Sequence, residues 1–142
     1  DIIAPSIALG VFITRIGCFL SGCCFGSPTS CPTGVVFPPG SPAGHVHFGV
    51  PVHPTQLYSS LYGLVIFAAL LLIDRRYARR DGVVFAWLCV MYGIARFTVD
   101  FFRHYEESAF VSGRLVDNQL ISILLIVFGA AYILVSGRMA KE

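Results

Sequence analysis

An all-α, polytopic membrane bundle is the architecture this sequence predicts, on three observations. The chain of 142 residues is 56% hydrophobic and only 13% charged. Its mean hydropathy is +0.75, too apolar for a soluble domain, and its length is too great for a single span. Four apolar runs reach bilayer length, and backbone groups in lipid must be satisfied within their own segment, so each run is read as a helix.

The first run covers Ile2 to Phe19 and carries Arg15 near its far end, with Gly10, Gly17, Gly22 and Gly26 expected to allow close backbone approach around it. Residues 20–53 follow, so rich in Pro, Gly and Ser that a long regular element is excluded and an ordered or semi-ordered loop is expected. That loop ends at His53-Pro54, where Pro suits the first helical position. The second run, Pro54 to Ile73, opens on Gln56 and Tyr58, and DRRYARRDG then supplies Arg75, Arg76, Arg79 and Arg80. Val83 to Arg103 is the third run and Asn118 to Val135 the fourth, followed by Arg138 and Lys141. Both basic segments are cytoplasmic by the positive-inside rule, which places Asp1 inside and the segments 20–53 and 104–117 outside. This topology absorbs the net charge of +2, so nothing points to nucleic acid. No cleavable signal peptide is visible and the first residue is Asp rather than Met.

The third run holds the most informative residues. A charge at membrane depth costs at least about 2.5–3.5 kcal/mol on insertion scales, yet this run carries Arg96, Asp100 and Arg103. At about 100° per residue they share with Tyr92 a stripe roughly 80° wide. The spacings of four and three let the carboxylate sit between two guanidinium groups, leaving one positive charge over. The structural alternative is an Arg96–Asp100 ion pair with Arg103 snorkelling to the interface.

Alternating topology gives the scattered polar residues a common depth. Arg15 closes the first run, Gln56 and Tyr58 open the second, the charges occupy the outer half of the third, and Asn118 and Gln119 open the fourth. The opposite halves, LVIFAALLLI and ILLIVFGAAYILV, hold almost nothing polar. An outer-leaflet cavity lined by three arginines with amides and phenols is the economical reading, although residues at helix ends can also be merely interfacial. Guanidinium forks suit phosphate, and within a bilayer the nearest phosphate belongs to a lipid.

Cys18, Cys23, Cys24 and Cys31 cluster in sequence, followed by His45, His47 and His53. The spacing matches no standard zinc pattern, so no metal and no cofactor are expected. A bridge from Cys23 or Cys24 to Cys31 and small apolar packing stay open as alternatives, while Cys89 reads as core.

Several of these residues together resemble the prolipoprotein diacylglyceryl transferase family. Arg15-Ile16-Gly17-Cys18-Phe19, preceded by Asp1, Ala4 and Pro5, is similar to its signature segment. His53-Pro54-Thr55-Gln56-Leu57-Tyr58, Tyr92-Gly93 with Arg96, Phe101, Phe102 and Arg103, and Gln119 with Ser122 resemble three further blocks in the family's order. The chain departs from that pattern at Thr14, Cys18, Ser21, Ser59, Asp100 and Asn118, and the family's upstream half is not among these residues. The resemblance implies the last four spans of a seven-span bacterial inner-membrane protein with a cytoplasmic C-terminus, residues 1–142 forming one bundle. It further implies transfer of diacylglyceryl from phosphatidylglycerol to the lipobox cysteine of a prolipoprotein, without metal. Arg15 and Arg96 would then act on the phosphate, with Arg103 in support and Asp100 orienting them. Gln56, Tyr58, Tyr92 and Gln119 would bind the head group. Two other classes fit the residues: a non-catalytic lipid-binding subunit using the arginines, and a redox or metal membrane protein using the cysteines.

Overall fold

A computed structural model describes residues 1–77, 81–103, 110–111 and 115–139. The elements in order are α1 (Ala4–Ser21), α2 (Pro42–Val46), α3 (Thr55–Tyr77), α4 (Val83–Asp100), β1 (Phe110–Val111), β2 (Leu115–Val116) and α5 (Asp117–Met139). The predicted all-α class holds: the four long helices are each long and apolar enough to cross a membrane. The two short strands form one antiparallel pair, Phe110 opposite Val116. Leu72, Leu124 and Leu134 are each about two-thirds exposed at 66%, 68% and 68%, an outward apolar surface that suits lipid and not water. Arg79, Arg80, Lys141 and most of 104–117 lie outside the described residues.

Neighbouring helices run antiparallel, with α1 on α3, α3 on α4 and α4 on α5. Lipid supplies no hydrophobic drive between helices, so close packing of small residues must hold them. A Cβ at Gly63 would stand 2.9 Å from the Phe12 amide nitrogen, and one at Gly93 would stand 2.8 Å from the Ser122 carbonyl oxygen. Beside the first contact the Ser60 hydroxyl donates to the Phe12 carbonyl at 3.0 Å. Ala4, Ala8, Ile66, Leu70, Val84 and Leu88 form the buried core among α1, α3 and α4. Gly10 and Gly17, expected to admit a neighbour, face open space, because α3 packs on the other side of α1.

Contacts between distant segments fix the two ends of the bundle. At one end the Asp1 carboxylate accepts from the Gly82 and Phe85 amides, capping α4 and meeting the positive end of its dipole. Tyr132 of α5 donates to the Asp81 carbonyl at the same end. At the other end the 20–53 segment folds into an ordered cap around buried Phe37, Ala43 and Val52. Val52 pairs with both Pro28 and Val35, and Gly26 pairs with Arg103. Pro54 precedes α3 rather than opening it, its carbonyl accepting from the Leu57 amide at 2.9 Å.

Candidate functional site

The cap end is organised by the C-terminus of α1. Gly22 closes that helix in the left-handed conformation at φ 68°, a position a Cβ could not occupy without striking the Ser41 side chain. The chain doubles back there, and the first turn of α3 pins it. Gln56 Nε2 donates to the Cys23 carbonyl at 2.6 Å, and the Thr55 hydroxyl donates to the Cys24 carbonyl at 2.9 Å, both from buried side chains. Gln56 therefore shapes the loop with its amide, leaving only a buried Oε1 that has no hydrogen-bond partner among the described residues.

Arg96 lies on α4, 9% exposed, with Nε 3.6 Å from Asp100 Oδ1. That separation exceeds the roughly 2.7–2.9 Å of a charge-assisted hydrogen bond. Its Nη1 is buried with no hydrogen-bond partner among the described residues. Arg15 reaches in from α1, and the Tyr62 phenol lies within electrostatic range of both arginines. Tyr62 and Tyr92 meet edge to face with ring centroids 6.1 Å apart, and Arg15 acts on each. Arg103 departs from the single-face expectation. The helix ends at Asp100, and the amides of Phe101, Phe102 and Arg103 tighten onto carbonyls three residues back, so Arg103 leaves the helical stripe and pairs with Gly26. From that turn it still shares an electrostatic neighbour, Cys24, with Arg15.

Tyr58 meets the loop segment that leads into α3. Its hydroxyl lies 3.4 Å from both Thr33 Oγ1 and His53 Nδ1, and its ring neighbours Phe102. Gln119 and Ser122 are buried on α5, and Ser122 faces Gly93 on α4, beside Tyr92. Two apolar clefts flank α4. One of about 370 Å³ is lined by Tyr58, Tyr62, Val65 and Thr98, and another of about 330 Å³ by Val11, Leu88, Tyr92 and Leu125. Neither of these two clefts is lined by an arginine. Apolar clefts lie to either side, and the Tyr62–Tyr92 pair bridges them beside the guanidinium groups.

Sequence reasoning passed over Tyr62, although it stands one helical turn beyond Tyr58 and the same-face rule that grouped the third-run residues would have found it. The capping role of Asp1 and the placement of Cys24 had no local signal. All five cysteines are free thiols, so of the two alternatives left open for Cys23 and Cys24 the bridge to Cys31 is not formed. Instead the sulfurs of Cys18, Cys23 and Cys24 lie within 4.8 Å of one another, with Cys31 outside the group. Burial, a hydrogen bond with Cys18 and the neighbouring thiols push Cys23 up to about 11. Burial also pushes Cys24 up, but the guanidinium groups of Arg103 and Arg15 and hydrogen bonds from Cys23 and Cys18 outweigh it and bring that thiol below its ordinary value.

Known proteins carry the same pattern. A family model described as prolipoprotein diacylglyceryl transferase matches residues 1–135. The phosphatidylglycerol–prolipoprotein diacylglyceryl transferase of Clostridium tetani is 40% identical over 131 residues, 91% of this chain and 49% of the relative. That of Geobacter sulfurreducens is 38% identical over 141 residues, 97% of this chain and 51% of the relative. That of Dehalococcoides mccartyi is 32% identical over 142 residues, 100% of this chain and 52% of the relative. The chain spans about half the length of the curated relatives it matches. With the family model covering nearly every residue from Asp1 through α5, the chain belongs to the prolipoprotein diacylglyceryl transferase family.

Proposed function

We propose that this chain handles the phosphate of phosphatidylglycerol during transfer of its diacylglyceryl group to a prolipoprotein cysteine. The buried, incompletely partnered guanidinium of Arg96, in reach of Tyr62 together with Arg15, carries the reading. In that transfer a sulfur–carbon bond forms as a carbon–oxygen bond to phosphate breaks. The electron pair leaves on a phosphate oxygen, the thiol proton is released, and the diester's single negative charge becomes a monoester's two. Preorganised cations aimed at that developing charge are the main service a protein can give. Arg15 and Arg96 supply them, Arg103 adds long-range field, and Asp100 keeps Arg96 oriented. Tyr92 and Gln119 position the head group, Tyr58 binds at its loop side, and Gln56 holds the loop that brings Arg15 and Arg103 together. The apolar clefts beside Tyr62 and Tyr92 receive acyl chains.

The setting is a bacterial inner membrane, with the cap of residues 20–53 outside, the C-terminus cytoplasmic, and the four spans as the last four of a seven-span enzyme. The test is transfer of labelled diacylglyceryl from phosphatidylglycerol to a lipobox peptide by the full-length protein. Arg96→Lys keeps the charge and loses the fork, so turnover should fall about 10²-fold with the fold intact. Phospholipid retained without any transfer by the wild type would point to a lipid-binding subunit. Loss of function on replacing cysteines, with Arg96 dispensable, would point to redox or metal chemistry.

A further inference from the structure

We propose that Cys18, Cys23 and Cys24 form a three-sulfur site for a soft monovalent cation of the Cu(I) class. The three sulfurs already lie within 4.8 Å of one another. An ion about 2.3 Å from each in a trigonal plane needs sulfurs about 4.0 Å apart, so closure takes small side-chain rotations and no refolding. Linear spacing hides the site. Cys18 belongs to the last turn of α1, while Cys23 and Cys24 return to it only because Gly22 reverses the chain and the Cys23 amide bonds the Cys18 carbonyl at 3.1 Å. The two returning residues are held by buried side chains, Gln56 on the Cys23 carbonyl and Thr55 on the Cys24 carbonyl, so the backbone that carries their sulfurs is fixed beside Cys18. Thiolate sulfur selects soft d¹⁰ ions, and three-coordination suits Cu(I). Three thiolates around one Cu(I) carry two net negative charges, and the two guanidinium groups near Cys24, those of Arg103 and Arg15, offset them. The site borders Arg15 and Arg103 of the transfer reading but rests on the sulfur geometry, and its test reads copper retention, not transfer.

The test uses the reduced protein in detergent under argon, titrated with Cu(I) buffered by a competing chelator. One Cu(I) per chain should be retained, with copper-edge X-ray absorption showing three sulfur ligands. Cys18→Ser should weaken retention at least tenfold. So should Cys24→Gly, which suits the left-handed backbone at φ 58°, whereas Cys31→Ser should leave it unchanged. The site is refuted if reduced wild type holds no stoichiometric Cu(I), if Cys31→Ser loses as much as Cys18→Ser, or if the absorption spectrum shows fewer than three sulfurs. The wild-type spectrum decides the question even where a variant fails to fold.

Discussion

Arg96 brings a permanent charge into an apolar helix, and a single carboxylate oxygen 3.6 Å away only partly compensates it. Removing one partner of a buried pair leaves the other uncompensated, so Asp100→Asn should destabilise the protein by about 3–5 kcal/mol and lower the unfolding midpoint in detergent. An unchanged midpoint would mean that Arg96 is satisfied elsewhere. The thiols allow a second residue-level prediction. Cys24 is the more acidic of the adjacent pair, so its thiolate fraction rises at lower pH than that of Cys23, which burial and the neighbouring thiols push up to about 11. Mass-spectrometric mapping of alkylation against pH should find Cys24 modified first, with its midpoint below the ordinary thiol value. At this scale the sequence was legible wherever period and charge speak: Arg96 and Asp100 do face each other at i, i+4. Asp1 as a cap for a helix more than 80 residues away depends on tertiary placement, which no local pattern encodes.

Elements meet where small residues let backbones approach. Gly93 lies against the α5 backbone, so Gly93→Ala should force α4 and α5 apart and cost about 1–3 kcal/mol, while Gly10→Ala, facing open space, should be neutral or slightly stabilising. Equal effects of the two substitutions would contradict this packing. The four helices were legible to within a few residues at most ends because bilayer-length apolar runs permit little else. The third helix stopped three residues short of its apolar run. Phe101 to Arg103 turn away to join the Gly26 segment, and that long-range pairing overrides a periodicity the three residues otherwise fit. The same pairing moved Arg103 off the stripe, and the same loop closure brought Cys24 beside two arginines.

At the scale of the whole molecule, antiparallel helices gather the ends of α1, α3 and α4 under one cap and leave the opposite end to Asp1, Gly82 and Tyr132. The proposed orientation puts exposed Cys31 outside and exposed Arg76 inside. A membrane-impermeant maleimide on intact cells should therefore label Cys31 in a chain with Cys18, Cys23 and Cys24 replaced, and should reach Arg76→Cys, in a chain with those three and Cys31 replaced, only after permeabilisation. Polar residues at alternating helix ends made the shared depth legible. The tyrosine pair between the two clefts was not, because it depends on how α3 and α4 pack face to face. The central claim is that arginines from two helices, Arg15 of α1 and Arg96 of α4, converge on one lipid phosphate. It is tested most directly by a cryo-electron microscopy structure of the full-length protein with phosphatidylglycerol in nanodiscs. The predicted density places the phosphate within hydrogen-bond reach of both guanidinium groups, directly or through one water, beside Tyr62. A phosphate bound elsewhere, with Arg15 and Arg96 turned to separate surroundings, would contradict it.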